Sequence, residues 1–561
     1  MNQSTQDYAS AVKNFDFAQT VQNALSGTFE AMNACYECCD RHALPGRIAL
    51  FQENADGSSS VHTYAELKQQ AAQFANYLQA QGVKQGDVVA GLLPRSHELL
   101  VTIFGTWRIG AIYQPLFTAF GPKAIEHRLQ TSQAKLVVSD ANNRSKLSEV
   151  EGCPPILTVT AAKGTGLVKG DASFWAEVTQ QSTEFEPVLL TAKDPFLLMF
   201  TSGTTGLAKP LEVPLKAIVA FQRYMIDAVG LRPEDSFWNV ADPGWAYGLY
   251  FGITGPMSMG LPILSVDGIF NLDRSLAIAK KYKVNNLAGA PTVFRMMIAA
   301  GEKVAHQWQG QLRVVSSAGE PLNPEVIRWF ADNLNVKIND HYGQTELGMV
   351  LCNHHNLDHP VHMGAAGYAS PGHRVVVVDD ELNELPVGVP GTLAVDLEQS
   401  PMCWFQGYKD METKAFQGKY YLTGDTTELN EDGSISFVGR SDDVITTSGY
   451  RVGPFDVESA LLEHPAVVEA AVVGKPDAQR TEIIKAFVML QEGYKGTPEL
   501  AEELRVHVRN RLAAHAYPRE IEFPEELPKT PSGKVQRFIL RHQEVVKYNE
   551  QQAAQQASAS N

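Results

Sequence analysis

Short apolar runs alternate with amphipathic stretches along most of the chain. Residues 48–52, 88–93, 135–139, 195–200, 236–239, 262–266, 286–288 and 313–317 are apolar runs of strand length. Between them, 64–81, 99–110, 216–229 and 275–282 place apolar residues at helical spacing. Alternation of this kind predicts parallel α/β sheets with ligand sites at the strand ends. From 374 to about 436 the rhythm becomes strands broken by turns at Asp379-Asp380, 386–391 and 431–433, which predicts a β-rich subdomain of small-barrel type.

Beyond the turn-rich Gly439-Arg440-Ser441-Asp442-Asp443, a helix over 454–463, strands over 467–474 and 484–490 and a helix over 498–514 make a compact α+β unit. The expected fold class is therefore α/β. A large N-terminal domain of parallel α/β sheets with a small β-barrel subdomain (1–439) is followed by a hinge (440–443) and a small mobile α+β C-terminal domain (444–545). The Gln-, Ala- and Ser-rich tail, 546–561, reads as disordered.

Composition then excludes several classes. A net charge of −16 over 561 residues argues against general binding to nucleic acid or acidic membranes, so an anionic ligand must be held by local groups. The polar first ten residues lack the layout of a signal peptide, which predicts a cytoplasmic protein. The uncharged stretch 243–266 is broken by Pro243, Pro256 and Pro262 and reads as a buried, pocket-lining segment rather than a membrane span. Six irregularly placed cysteines do not make a disulfide framework. Cys35, Cys38, Cys39 and His42 resemble a metal knuckle, but with no second pair at ligand spacing a helix with buried thiols is the favoured reading.

The candidate chemistry centres on Thr201-Ser202-Gly203-Thr204-Thr205-Gly206 and Lys209, at the end of the 195–200 run. Glycines let backbone N–H groups converge, the hydroxyls add donors and Lys209 adds charge, as a phosphate cradle requires. Ala208 and Pro210 break the Walker spacing, so this is not an ordinary P-loop. Gly319, Glu320 and Pro321 follow a strand, where a nucleotide would lie. In the stretch from Asn339 to Glu346, Glu346 offers the hard oxygens that magnesium prefers, Thr345 a hydroxyl and Tyr342 an aromatic face. Asp425, after Gly424, is placed to accept ribose hydroxyls.

In this order and spacing, Thr201 to Lys209, Tyr342 to Glu346, Tyr421 to Asp425, Gly439 to Asp443 and Pro531 to Lys534 resemble the adenylate-forming superfamily, over about Asn33 to Arg541. Asp242-Pro243-Gly244-Trp245, the 448–454 and 463–467 stretches and Leu527-Pro528-Lys529-Thr530 are similar to acetyl-CoA and medium-chain acyl-CoA synthetases. The resemblance implies ATP, Mg2+ and coenzyme A, and a small-molecule carboxylic acid activated as acyl-AMP and passed to the thiol. It implies catalytic roles for Lys534, Glu346, Thr201 and Lys209, with Glu346 holding the metal. Gly319, Glu320, Pro321, Asp340, His341, Tyr342, Gly343, Gln344 and Thr345 would border the nucleotide, Asp425 and Arg440 its ribose, and Arg451 a phosphate. Asp442 would be the hinge. Ser448, Gly449 and Tyr450 would line the pantetheine path, with Arg480 and Tyr517 as weaker candidates for contacts to coenzyme A.

Acetate-specific relatives carry tryptophan where this chain has Gly343, so the implied acyl pocket, walled by Trp245, Tyr247, Leu249 and Phe251, continues deeper. A medium-chain or branched aliphatic acid is expected. An aryl-CoA ligase, a stand-alone enzyme loading a carrier protein, and a non-catalytic nucleotide-binding protein are the alternatives. Two departures from the family pattern stand out. Pro210-Leu211-Glu212-Val213-Pro214 replaces a segment that usually ends in histidine, and His354, His355, His359 and His362 cluster in what reads as a polar loop.

Overall fold

A computed structural model describes residues 6–160, 167–201, 208–268, 270–447, 450–477, 480–512, 516–530 and 533–559, with the side chains of Arg451 and residues 552–559 outside that description. Among these residues the first sheet is seven-stranded. Its parallel core is Ile156–Val159, Leu136–Asp140, Val88–Leu92, Ile112–Pro115 and Pro195–Thr201. Strand Lys209–Pro214 closes one edge in antiparallel register, Lys209 facing Thr201. Helices Tyr64–Ala80 and His97–Arg108 pack together beside this sheet. The first opens on a reciprocal Thr63/Glu66 cap. The close approach depends on Gly105, where a Cβ would lie 2.6 Å from a Phe74 ring carbon and 2.9 Å from the Ala71 carbonyl.

The second sheet begins with four parallel strands, Phe237–Asn239, Asn286–Gly289, Val314–Ala318 and Ile338–Gln344. It continues antiparallel through Gly348–Cys352, Ala365–Ala369, Ile435–Arg440, Tyr420–Leu429, Gly391–Asp396 and Val375–Val378. The β-rich stretch expected as a small barrel is this antiparallel run, joined edge to edge to the parallel half. Strands Ile48–Glu53, Ser59–Thr63 and Ile263–Val266 form a small third sheet.

A separate C-terminal domain carries the antiparallel pair Val467–Asp477 and Thr481–Leu490, flanked by Ile445–Thr447, Tyr450–Val452 and Glu520–Glu522. Helices Pro454–Leu462, Pro498–Arg511 and Arg537–Ala559 cover it. The last helix corrects the expected disordered tail, because the backbone is helical to Ala559. Alanine and glutamine are good helix formers, and the helix is pinned by Glu544, fully buried, which meets Lys485 and Lys547 at 2.9 and 2.8 Å.

The stretch 243–266 folds as the short helical turns Ala246–Gly248, Leu249–Thr254 and Gly255–Ser258 and strand Ile263–Val266, the middle turn having π-type hydrogen bonding. No helix among the described residues is long and apolar enough to cross a membrane. Helix Ala34–Cys38 buries Cys35 and Cys38, and Cys39 follows, also buried. Of the histidine stretch, His354 is buried under the Tyr8 ring at 5.7 Å, His355 and His359 are half-buried, with His355 Nε2 meeting the Val315 carbonyl at 2.9 Å, and His362 is exposed.

Candidate active site

Strand Pro195–Thr201 is buried along its middle and delivers Thr201 to the rim of the first sheet. Ser202, Gly203, Thr204, Thr205 and Gly206 lie outside the described residues, and the chain re-enters through Ala208 into Lys209. The Lys209 ammonium stands 5.1 Å from the centre of the Tyr408 ring. The Tyr408 hydroxyl donates to Glu346 Oε1 at 2.6 Å and lies near the Thr201 side chain. Thr201, Lys209 and Glu346 thus share one neighbour that the sequence did not single out. Burial raises the Glu346 pKa, with the Tyr408 hydrogen bond and the charges of Lys209 and Arg440 opposing it.

Strand Ile338–Gln344 supplies the next group. Asp340 Oδ2 accepts from the Leu322 backbone N–H at 3.1 Å, tying the Gly319-Glu320-Pro321 turn to this strand; Gly319 has φ 97°, where glycine is favoured. Burial pushes the Asp340 carboxyl up to about 7. His341 Nε2 lies 3.2 Å from the Asn353 carbonyl, which only accepts, so Nε2 carries the proton and Nδ1 accepts from the Tyr224 hydroxyl at 2.8 Å. Burial holds this imidazole neutral, its pKa well below the usual value. His341 is therefore a packed core group.

Tyr342 and Gln344 converge on Asp425: the Tyr342 hydroxyl donates to Asp425 Oδ2 at 2.5 Å and Gln344 Nε2 to the same oxygen at 2.9 Å. The Gln344 side-chain oxygen, Oε1, accepts from the Tyr421 hydroxyl at 3.0 Å. Asp425 stands opposite Arg440 in the strand pairing. Its pKa is raised by burial and drawn back by Tyr342, then by Arg440 and Lys534. The Thr345 carbonyl accepts from the Tyr250 hydroxyl at 3.2 Å.

Lys534 arrives from the C-terminal domain. The surrounding protein lowers its pKa from the usual lysine value, and the charges of Glu320 and then Asp425 oppose that. Glu320, Pro321, Asn323, Arg295, Lys534 and Arg537 border one cleft between the lobes. Arg537 is held by Glu458 at 2.8 and 2.6 Å. The lobes meet through polar contacts: Asn323 to Ser459 at 2.8 Å, Arg328 to Glu463 at 3.2 Å, and Arg295 between Glu320 at 3.3 Å and Glu469 at 3.8 Å. Arg295 was not singled out in the sequence either.

Other candidates stand apart from this cluster. Trp245 packs on Phe117 and Phe120 at 5.2 and 5.5 Å, while Leu249 and Phe251 are core. A Cβ at Gly343 would lie 2.0 Å from the Gly348 carbonyl oxygen and 2.8 Å from the Met349 sulfur, so the hairpin itself fills the direction a side chain would take. Tyr450 is half exposed. Arg480 donates its backbone N–H to Asp477 at 2.8 Å, and Tyr517 lies under the Arg519 guanidinium at 4.8 Å. Asp442 is exposed; its carbonyl accepts from Arg541 of the last helix. Ser448 and Gly449 lie outside the described residues.

Parallel sheets, Thr201 and Lys209 on adjoining strands at one sheet edge and a lysine carried on a separate C-terminal domain are the arrangement of an AMP-binding, adenylate-forming enzyme. The AMP-binding enzyme family model matches residues 38–408 and the AMP-binding enzyme C-terminal domain model matches 456–534. The chain belongs to this family, among its acyl-CoA synthetases, and is an acid–thiol ligase. It is similar to an acetyl-coenzyme A synthetase of Bacillus subtilis, with 39% identity over 95% of this chain and 94% of that protein. It is also similar to the mitochondrial acyl-coenzyme A synthetase ACSM4 of Rattus norvegicus, with 34% identity over 89% of this chain and 87% of that protein. Among solved structures, an acyl-CoA synthetase of Brucella canis shares 57% identity and a TM-score of 0.79 over 97% of this chain and all of that one. An anthranilate CoA ligase in complex with anthranoyl-AMP shares 27% identity and a TM-score of 0.84 over 92% of this chain and 98% of that one.

Proposed function

We propose that the protein activates an aliphatic carboxylic acid with ATP and transfers the acyl group to coenzyme A. A carboxylate oxygen attacks the α-phosphorus of ATP and pyrophosphate leaves. The thiol sulfur of coenzyme A then attacks the carbonyl carbon, AMP leaves with the mixed-anhydride oxygen, and the thiol proton is released. The observation that carries this reading is that Lys534, from the C-terminal domain, and Glu320, from the large domain, line one interlobe cleft, with Asp425 near enough for its charge to act on the lysine.

In-line displacement at phosphorus needs positioning and neutralised charge more than covalent help. Lys209 and the loop from Thr201 would hold the departing phosphates, and Lys534 would place a cation at the α-phosphate. Asp425, oriented by Tyr342 and Gln344 and paired across the ladder with Arg440, is the ribose acceptor in this scheme. Glu346 fits magnesium: a buried carboxylate beside the phosphate loop, together with substrate phosphates, is the donor set that ion takes. Bound there, the ion would supply a fixed positive charge on the phosphate oxygens.

Lys534 must leave before coenzyme A enters. The polar interlobe contacts suit a domain that rotates, with exposed Asp442 as its hinge. Ser448, Gly449 and Tyr450 would then border the pantetheine arm, with Arg451 near phosphate and Arg480 and Tyr517 outermost. The acid is proposed to be medium-chain or branched on the likeness to the acyl-coenzyme A synthetase ACSM4, with Trp245 as the proposed wall residue; the space beside Gly343 is taken by its own hairpin and does not carry the choice.

The test is pyrophosphate release across acids from acetate to decanoate, plus benzoate, with coenzyme A present. Acid-dependent release with AMP as product is expected, strongest beyond acetate. Accumulation of ADP would refute the reaction; a preference for benzoate would move the protein to the aryl-CoA ligases; carrier protein replacing coenzyme A as acceptor would make it a loading enzyme.

A further inference from the structure

The segment after Lys209 departs from the family pattern in sequence, and the structure shows what stands in its place. Lys209–Pro214 is an edge strand, and residues 408 and 409 are fastened along it. The Lys409 backbone N–H donates to the Pro210 carbonyl at 2.9 Å, and the Lys409 ammonium meets Glu212 at 2.6 Å. That clamp fixes the neighbouring Tyr408, whose ring also packs on Phe405 at 5.3 Å. The half-buried phenol then joins two charged groups: its hydroxyl reaches Glu346 at 2.6 Å, and its face lies 5.1 Å from the Lys209 ammonium.

We propose that Tyr408 is a positioning residue for the first half-reaction: it aims the Glu346 carboxylate and steadies Lys209, so that carboxylate and lysine face the triphosphate in fixed register. A donated O–H stabilises a carboxylate that burial otherwise disfavours, and a cation over an aromatic face keeps its place without neutralisation. The role belongs to adenylation alone, because thioester formation begins after pyrophosphate has gone. This rests on the acid-activating reaction proposed above.

The test is Tyr408→Phe, which removes the hydroxyl and keeps the ring. Binding of ATP to the resting full-length protein is measured by titration calorimetry with Mg2+ and with chelator, beside acid-dependent exchange of pyrophosphate into ATP and thioester formation from supplied acyl adenylate. The variant is expected to lose most of the affinity that Mg2+ adds, roughly tenfold to a hundredfold, the effect of one hydrogen bond to a charged group. Chelated ATP should bind as in the native protein. Exchange should fall and be partly restored by raised Mg2+, while thioester formation stays unchanged. An unaltered Mg2+-dependent gain overturns the proposal, as does an equal fall in both half-reactions that Mg2+ does not relieve. Absence of native exchange, with the Mg2+ gain present and lost in the variant, sinks the acid-activation reading and leaves the placement of Tyr408 standing.

Discussion

Asp340 is a carboxyl group in a site that disfavours its charge. It is 7% exposed, its Oδ2 accepts one backbone hydrogen bond, and its Oδ1 has no partner among the described residues. Burial raises its pKa from 3.8 to about 7, and roughly three pKa units at 1.36 kcal/mol each amount to about 4 kcal/mol. The sign follows from which state holds the proton more tightly. The folded protein does, so the stabilising contribution is complete below pH 3.8 and is lost as pH rises to about 7.

Asp340→Asn has the shape of the protonated acid, keeps an oxygen for the Leu322 N–H and does not titrate. Across the roughly two pKa units between pH 5 and pH 7 the native protein gives up about 3 kcal/mol that the variant retains. The assay is urea unfolding of both proteins at pH 5 and pH 8, followed by tryptophan fluorescence. The stability of the variant relative to the native protein should be higher at pH 8 by about 3 kcal/mol. The same difference at both pH values would refute the reasoning, because it would mean that Asp340 ionises in the folded state as it does in the unfolded one.

Gly343→Ala forces a methyl group to within 2.0 Å of a backbone oxygen, so the hairpin must shift; a loss of about 1–3 kcal/mol, read as a lowered melting temperature, is expected together with altered preference among acids. An unchanged melting temperature would show that the hairpin gives way freely. Glu458→Ala strands Arg537 and the Val472 N–H, both partnered by Glu458, and should cost about 3 kcal/mol. Because Arg537 lies three residues beyond Lys534, adenylation should slow more than thioester formation, as comparison of the two half-reactions would show. Tyr408→Phe, developed above, should weaken the response to Mg2+ selectively.

The parallel sheets were legible because strands buried on both faces are continuous apolar runs, as 195–200 is, while the helices between them keep a polar face. Strand Lys209–Pro214 escaped that reading. Pro210 and Pro214 look like strand breakers, but the strand lies at a sheet edge, where missing N–H donors are tolerated. The last helix escaped through its composition, since its anchor is Glu544 meeting Lys485, residues far apart in the chain.

The site motifs were readable because each is local: a loop, a strand end, a turn. What joins them is not. Nothing in Gly407-Tyr408 announces contacts to Thr201, Lys209 and Glu346, and Arg295 becomes part of the cleft only when helix Pro291–Ala299 meets the C-terminal domain. The burial of His354 escaped for the same reason, its cover coming from Tyr8 at the far end of the chain.

The central claim is that a lysine on the C-terminal domain serves the first chemical step and must withdraw for the second. Lys534→Ala, assayed separately for acid-dependent exchange of pyrophosphate into ATP and for conversion of supplied acyl adenylate and coenzyme A to thioester, tests it directly. The account predicts loss of exchange with thioester formation retained; loss of both to the same degree, or of neither, would contradict it.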